Sequence, residues 1–163
     1  MAQMKTEGLE EFVAELNKLA AATPGVTKKC LYDGARVLAD GIREAVKGLP
    51  LDPDGHFTPV KDPLRTITAK DREDLAEAVG ISKIESGASS SVSVSFAGYI
   101  SRTEEKFPKG VPAALIARSI EKGTSVRAKK PFLRPAIKKN KDAVLDAMQA
   151  TMAESLAQIS QKE

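Results

Sequence analysis

Apolar positions along the chain recur with a helical period near both ends and with a period of two only around residue 90. From Gly8, the residues Leu9, Phe12, Val13, Leu16, Leu19 and Ala20 share one helical face. Glu10, Glu11 and Glu15 stand in the early turns, where the helix dipole favours negative charge. Thr23-Pro24-Gly25 predicts a break. From about Thr27 a second stripe of Leu31, Ala35, Leu38, Ile42, Ala45 and Val46 runs until Gly48 and Pro50. So short a connection makes the two segments antiparallel neighbours or a bent pair. Residues 50–67 carry Pro50, Pro53, Gly55, Pro59 and Pro63 among few large apolar side chains, the composition of a loop. Thr68 then caps a short helix, with Asp71 in capping-box position, Leu75 and Val79 turned inward and Gly80 as its stop.

After Gly80 the period changes. Ile81 to Glu85 and Ser90 to Ala97 flank Ser86–Ser89, and Val92, Val94 and Phe96 alternate with Ser91, Ser93 and Ser95. This predicts a hairpin with one buried face. Two strands alone are marginal in water, so the hairpin needs the helices beneath it or another subunit at its edge. Gly98 to Val111 reads as a polar loop with Tyr99, Ile100 and Phe107 as docking points.

The last third is the most tightly punctuated. Pro112 opens and Gly123 closes an amphipathic helix whose Leu115, Ile116 and Ile120 share a face. In the basic segment that follows, Pro131 and Pro135 bias Lys130 and Arg134 away from helical angles, which predicts an extended strut presenting Phe132 and Leu133 to the core. From Pro135 a long helix runs to about Ile159, with Ile137, Val144, Leu145, Met148, Met152, Leu156 and Ile159 as its apolar stripe. The fold class is therefore α+β: four helices including a long C-terminal helix, with a β-hairpin or small antiparallel sheet packed on them. At 163 residues the chain has the length of one domain, spanning 1–163.

The run Leu115-Ile-Ala-Arg-Ser-Ile-Glu-Lys-Gly-Thr-Ser125, then Lys130-Pro-Phe-Leu-Arg-Pro-Ala136 and a helix that starts with lysines, resembles the head–tail joining or tail completion family of long-tailed bacteriophages, the group similar to minor tail protein Z. The opening Met4-Lys-Thr-Glu-Gly-Leu-Glu10 and Asp74-Leu-Ala-Glu-Ala-Val-Gly-Ile81 resemble the same family. The resemblance implies a structural virion protein that completes the tail end and joins it to the head at the neck, as a homo-oligomeric ring. Its implied partners are copies of itself, neck or connector and tail-tube proteins, and passing genomic DNA. The other readings are a tail terminator and a small basic nucleic-acid-binding accessory protein.

Charge sharpens this picture. The net charge is +3, but residues 1–100 hold 12 basic and 15 acidic side chains, residues 101–141 hold 12 and 3, and residues 142–163 hold 1 and 4. A +9 block thus lies between two of −3, and it suits an acidic partner, whether nucleic acid or another subunit. The assembly or DNA-facing candidates are Arg127, Lys129, Lys130, Arg134, Lys138, Lys139 and Lys141. The three lysines at the start of the last helix oppose its dipole, at a cost of a few tenths to about 1 kcal/mol each.

Conventional chemistry finds little support. Asp52-Pro-Asp54-Gly-His56 groups two carboxylates with the single histidine, but position twelve counted from Asp52 is Pro63, where a calcium loop needs glutamate. A polar loop that happens to contain aspartates is the simpler reading. Cys30 falls within a helical pattern as a small packing residue, no serine lies in a nucleophile elbow, and no phosphate-binding glycine loop occurs. The expectation is a protein that is not an enzyme, with no cofactor or metal. Without an apolar run of membrane-spanning length, it is expected in the host cytoplasm before assembly and in the virion afterwards.

Overall fold

The computed structural model of the chain describes residues 9–51, 67–86, 90–103, 105–124, 127 and 129–161. They form four helices, α1 (Leu9–Lys47), α2 (Ala69–Glu77), α3 (Ala113–Lys122) and α4 (Leu133–Ser160). Between α2 and α3 lie four short strands, β1 (Val79–Ile81), β2 (Glu85–Ser86), β3 (Ser90–Ser91) and β4 (Val94–Phe96). This is the expected α+β class. Asp52, Asp54, His56 and most of the Pro-rich loop lie outside the described residues, but a parallel bridge between Leu51 and Ile67 joins the loop's two ends.

The expected break at residues 23–25 does not occur. α1 is one helix of 39 residues with Pro24 inside it, about 58 Å long at 1.5 Å per residue. An interior proline costs about 3 kcal/mol through a lost hydrogen bond and a clash with the preceding turn. Two features offset that cost. Ala20, Ala21 and Ala22 before it are the strongest helix formers. After it, Val26, Cys30 and Leu31 line a shared groove with Met148, Met152 and Leu156 of α4, so α1 packs against α4 directly beyond the proline.

α1 and α4 run antiparallel. Gly41 stands against Asn140 and Gly34 against Val144 and Met148. Further along, the Thr151 hydroxyl donates to Asp33 at 2.8 Å and Lys29 meets Glu154 at 3.9 Å. Small residues set the approach: a Cβ on Gly41 would run into the Asn140 amide, which itself donates to the Ala136 carbonyl at 2.8 Å.

The buried residues of α4 are small or polar: Ala136, Thr151 and Ser155. The large side chains of the expected stripe are less covered. Ile137, Leu145, Met152 and Leu156 are 41–52% exposed, and only Val144, Met148 and Ile159 are half-buried. The period of the stripe is helical as predicted, but only part of it is covered: Val144 and Met148 meet Gly34, while Met152 and Leu156 border the groove shared with α1 and stay partly exposed.

The core gathers at one end of this pair. Ile42 and Val46 from the end of α1 and Leu49 just past it meet Leu75 of α2, Val79 of β1, Ile116 and Ile120 of α3, and Phe132 and Ala136 at the start of α4. The capping box of α2 forms as predicted: the Asp71 N–H donates to the Thr68 hydroxyl at 3.0 Å and the Thr68 N–H donates to the Asp71 carboxylate at 3.4 Å. Asp71 is buried and also accepts from Arg102 at 3.0 Å. α2 stops at Glu77, before the expected Gly80, because the Ala78 carbonyl accepts from Ala97 N–H and Gly80 is already paired with Ser95.

The hairpin is present but its ladder shifts. β1 pairs with β4 in the register Val79–Phe96, Gly80–Ser95 and Ile81–Val94, whereas β2 pairs with β3 as Glu85–Ser91 and Ser86–Ser90. Residues 82–84 on one side therefore face 92–93 on the other, one extra residue that acts as a bulge. Ser82 bridges the discontinuity: its hydroxyl accepts from Ser93 N–H at 2.9 Å and donates to the Lys83 carbonyl at 2.9 Å. Val92, Val94 and Phe96 are half-buried while Ser91, Ser93 and Ser95 are exposed, as the alternation predicts.

In the segment before α3, Ile100 is buried and Phe107 packs on the core, but Tyr99 is 66% exposed. On α3 the inward residues are Ala113, Ile116, Ala117 and Ile120. Leu115, expected among them, is 46% exposed.

Candidate functional site

The basic segment between α3 and α4 is a folded connection, tied to α3 by backbone bonds. Gly123 closes α3 with φ +74°, a conformation that disfavours any side chain, and a Cβ there would lie 3.0 Å from the Lys129 nitrogen. The chain then folds back on itself. Thr124 N–H donates to the Arg127 carbonyl at 2.9 Å, Arg127 N–H returns to the Thr124 carbonyl at 3.3 Å, and Lys130 N–H donates to the Ile120 carbonyl at 2.8 Å. The expected extended strut is thus shorter than predicted, and Arg134 is helical. Pro135 sits in the first turn of α4, where its missing N–H has no intrahelical partner to lose, so the bias on Arg134 is overridden.

Phe132 is buried and meets Phe96 edge-on, with ring centroids 6.1 Å apart at 70°. Leu133 is half-buried against the same core. Both serve as the anchors that their position between two prolines predicts.

α4 begins without a Ser, Thr, Asp or Asn at its N-cap, and no side chain of its own caps it. Glu121 of α3 supplies the missing acceptor: one carboxylate oxygen accepts from Phe132 N–H at 2.7 Å and from Leu133 N–H at 2.9 Å. A carboxylate at the positive end of a helix satisfies orphan donors and opposes the dipole favourably. Sequence reasoning passed over Glu121, and the absence of a local cap at Pro131-Phe132-Leu133 is the signal that could have found it.

The seven basic candidates divide in two. Arg127 is buried, and its guanidinium donates to the Ser119 hydroxyl at 2.8 Å, which in turn donates to the Ile116 carbonyl at 2.8 Å. It fastens the turn to α3 and does not belong to the solvent-facing set. The other six lie around the start of α4. Lys129, Arg134, Lys138, Lys139 and Lys141 are exposed and Lys130 is half-buried. Arg134, Lys138 and Lys141, spaced i, i+4, i+7, form a row along one face. Lys139 instead borders a groove with Asp40 and Glu44 of α1.

Those two carboxylates are already engaged on their own helix, Asp40 with Arg43 and Glu44 with Lys47, each at 2.7 Å. None of the six cations forms an ion pair with a described carboxylate.

No protein-family model, characterised protein or solved structure matches this chain. The chemical reading of the site therefore rests on its own residues. Among the described residues, no group of three or more His, Cys, Asp or Glu side chains is placed to hold a metal ion, and no helix is long and apolar enough to cross a membrane. Cys30 is buried on α1 beside Met148 and Met152. Asp74 sits where its surroundings move its titration. Partial burial pushes its carboxyl up, but hydrogen bonds from Ser101, including its N–H at 2.5 Å, and the nearby Lys70 charge outweigh this and hold it below the usual carboxylate range. That arrangement ties α2 to the segment between β4 and α3. The feature with binding potential is the six-cation surface.

Proposed function

We propose that the protein is a structural component of a tailed-phage virion that completes the tail end and joins it to the head, acting as a ring of copies in contact with neck and tail-tube proteins. The observation that carries this reading is the signature Leu115–Ser125 followed by Lys130–Ala136. Its distinctive residues have structural tasks in one compact unit: Gly123 makes the reversal, Glu121 caps α4 and Phe132 enters the core. The ring is what the resemblance implies, and the +9 segment between two of −3 gives it an electropositive surface for an acidic partner, whether DNA or a neighbouring subunit.

The test is to remove the chain from an infection and examine the products. Filled heads beside unattached tails of normal length are expected, with the chain found by mass spectrometry in purified wild-type particles. Overgrown tails would assign it to tail termination. Normally joined particles without the chain would refute the proposal. The six cations, none ion-paired with a described carboxylate, favour one second reading, a nucleic-acid-binding accessory protein, which predicts that the chain is absent from purified particles.

A further inference from the structure

We infer that the face of α4 carrying Arg134, Lys138 and Lys141, with Lys129, Lys130 and Lys139 beside it, binds the phosphate backbone of double-stranded DNA without reading its sequence. Under the virion reading this names the partner of the basic surface, while the contact itself can be tested on the isolated protein.

The geometry suits a row of phosphates. Arg134, Lys138 and Lys141 span seven residues of helix, about 10 Å at 1.5 Å per residue. Successive phosphates on each strand of a duplex rise about 3.4 Å along its axis, so charges spread over this row can meet more than one of them.

The electrostatics call for an external anion. Six cations cluster at the end of α4 where the helix dipole is already positive, and none has a described carboxylate as ion-pair partner. Glu121, the carboxylate at this helix end, is engaged by two backbone N–H groups.

Among the described residues, a second copy offers at most two exposed carboxylates without an ion pair on any one element. Asp33, Asp40, Glu44, Asp71 and Glu154 each face a cation within their own chain, and Asp74 is bound by Ser101. The other exposed carboxylates among the described residues are divided among four parts of the fold: Glu73 and Glu77 on α2, Glu85 on β2, Glu105 in the loop before α3, and Asp142 and Asp146 on α4.

The side chains also select among nucleic acids. Binding to single strands relies on exposed rings for stacking, yet the one aromatic residue within 129–161 is Phe132, which is buried. Base reading relies on amides and bidentate groups in a groove, and the amide adjoining the row, Asn140, is turned to the Ala136 carbonyl. Cations without these groups position a backbone but carry no sequence information.

The experiment is fluorescence anisotropy of the full chain with a short labelled duplex of mixed sequence, titrated between about 50 and 200 mM salt. If all six cations are engaged, log K falls against log salt with a slope near about −5. Replacing Lys138, Lys139 and Lys141 together by glutamine should reduce the slope by about 3 and weaken binding, with an unchanged circular dichroism spectrum. Lys28→Gln with Lys29→Gln, on α1, should leave the slope as it is.

Absence of binding at the lowest salt, a slope unaffected by the triple substitution, or preference for the single strand overturns the inference. So does salt-sensitive self-association in sedimentation that the triple substitution abolishes while DNA is not bound, which would assign the surface to a contact between copies. None of these results bears on whether the chain is found in purified particles, so the virion reading stands or falls separately.

Discussion

Phe132→Ala is expected to destabilise the domain by about 3–5 kcal/mol. The ring is 5% exposed, and truncation to alanine removes roughly 150 Å² of buried apolar surface, about 3–4 kcal/mol at 25 cal/mol per Å². Loss of the edge-on contact with Phe96 adds about 0.5–1.5 kcal/mol. The substitution leaves the backbone N–H that donates to Glu121, so it isolates the side chain from the cap.

For a chain of this size each kcal/mol lowers the melting temperature by about 2–4 °C, giving a drop of about 6–20 °C. Thermal unfolding followed by far-ultraviolet circular dichroism measures it. Phe132→Leu, which keeps much of the volume, should fall between wild type and alanine. A double-mutant cycle with Phe96→Leu should return a coupling of about 0.5–1.5 kcal/mol. A melting temperature for Phe132→Ala equal to wild type within error would refute the reasoning and place the ring on a surface.

Glu121→Ala should cost about 1–2 kcal/mol in urea unfolding by stripping the α4 cap, and Glu121→Gln should cost less because an acceptor oxygen remains. Gly123→Ala should destabilise by about 1 kcal/mol or more, since φ +74° strains a side chain and the new methyl crowds the Lys129 backbone. Asp74 has a lowered folded-state pKa, so its contribution is fully present above the ordinary carboxylate value near 3.9 and is lost as pH falls through the folded value. The stability gap between wild type and Asp74→Asn, read from urea melts, should accordingly be open at pH 6 and close as the pH is lowered below about 3.9. A gap that persisted unchanged into acid would show that the Asp74 charge is not the stabilising feature.

Local signals in the chain were legible where one residue type has one physical use. Thr68 and Asp71 formed their capping box, Gly123 took the positive φ, and Phe132 entered the core from between its prolines. The serine and valine alternation placed Val94 and Phe96 inward, because a strand has only two faces. Of the basic candidates, the six around the start of α4 are at the surface, as long charged side chains without partners are. Arg127 is the exception, and nothing in its neighbours' identities announces that its guanidinium reaches Ser119 eight residues back.

What the sequence determined by itself is the set of elements: which stretches are helical, where the hairpin lies, and how charge is divided along the chain. These follow from periods and from turn chemistry, which act over a few residues. The tertiary structure decided three further matters. It carried α1 through Pro24, because packing against α4 outweighs a local penalty. It buried Ala136, Thr151 and Ser155 on α4 and left Leu145, Met152 and Leu156 partly exposed, since a helical period defines a face but not the neighbour it meets. And it brought Glu121 from α3 to the start of α4, where a carboxylate and two backbone donors distant in the chain become one cap. Each of these depends on which surfaces come together, and that is settled by the close packing of the whole core.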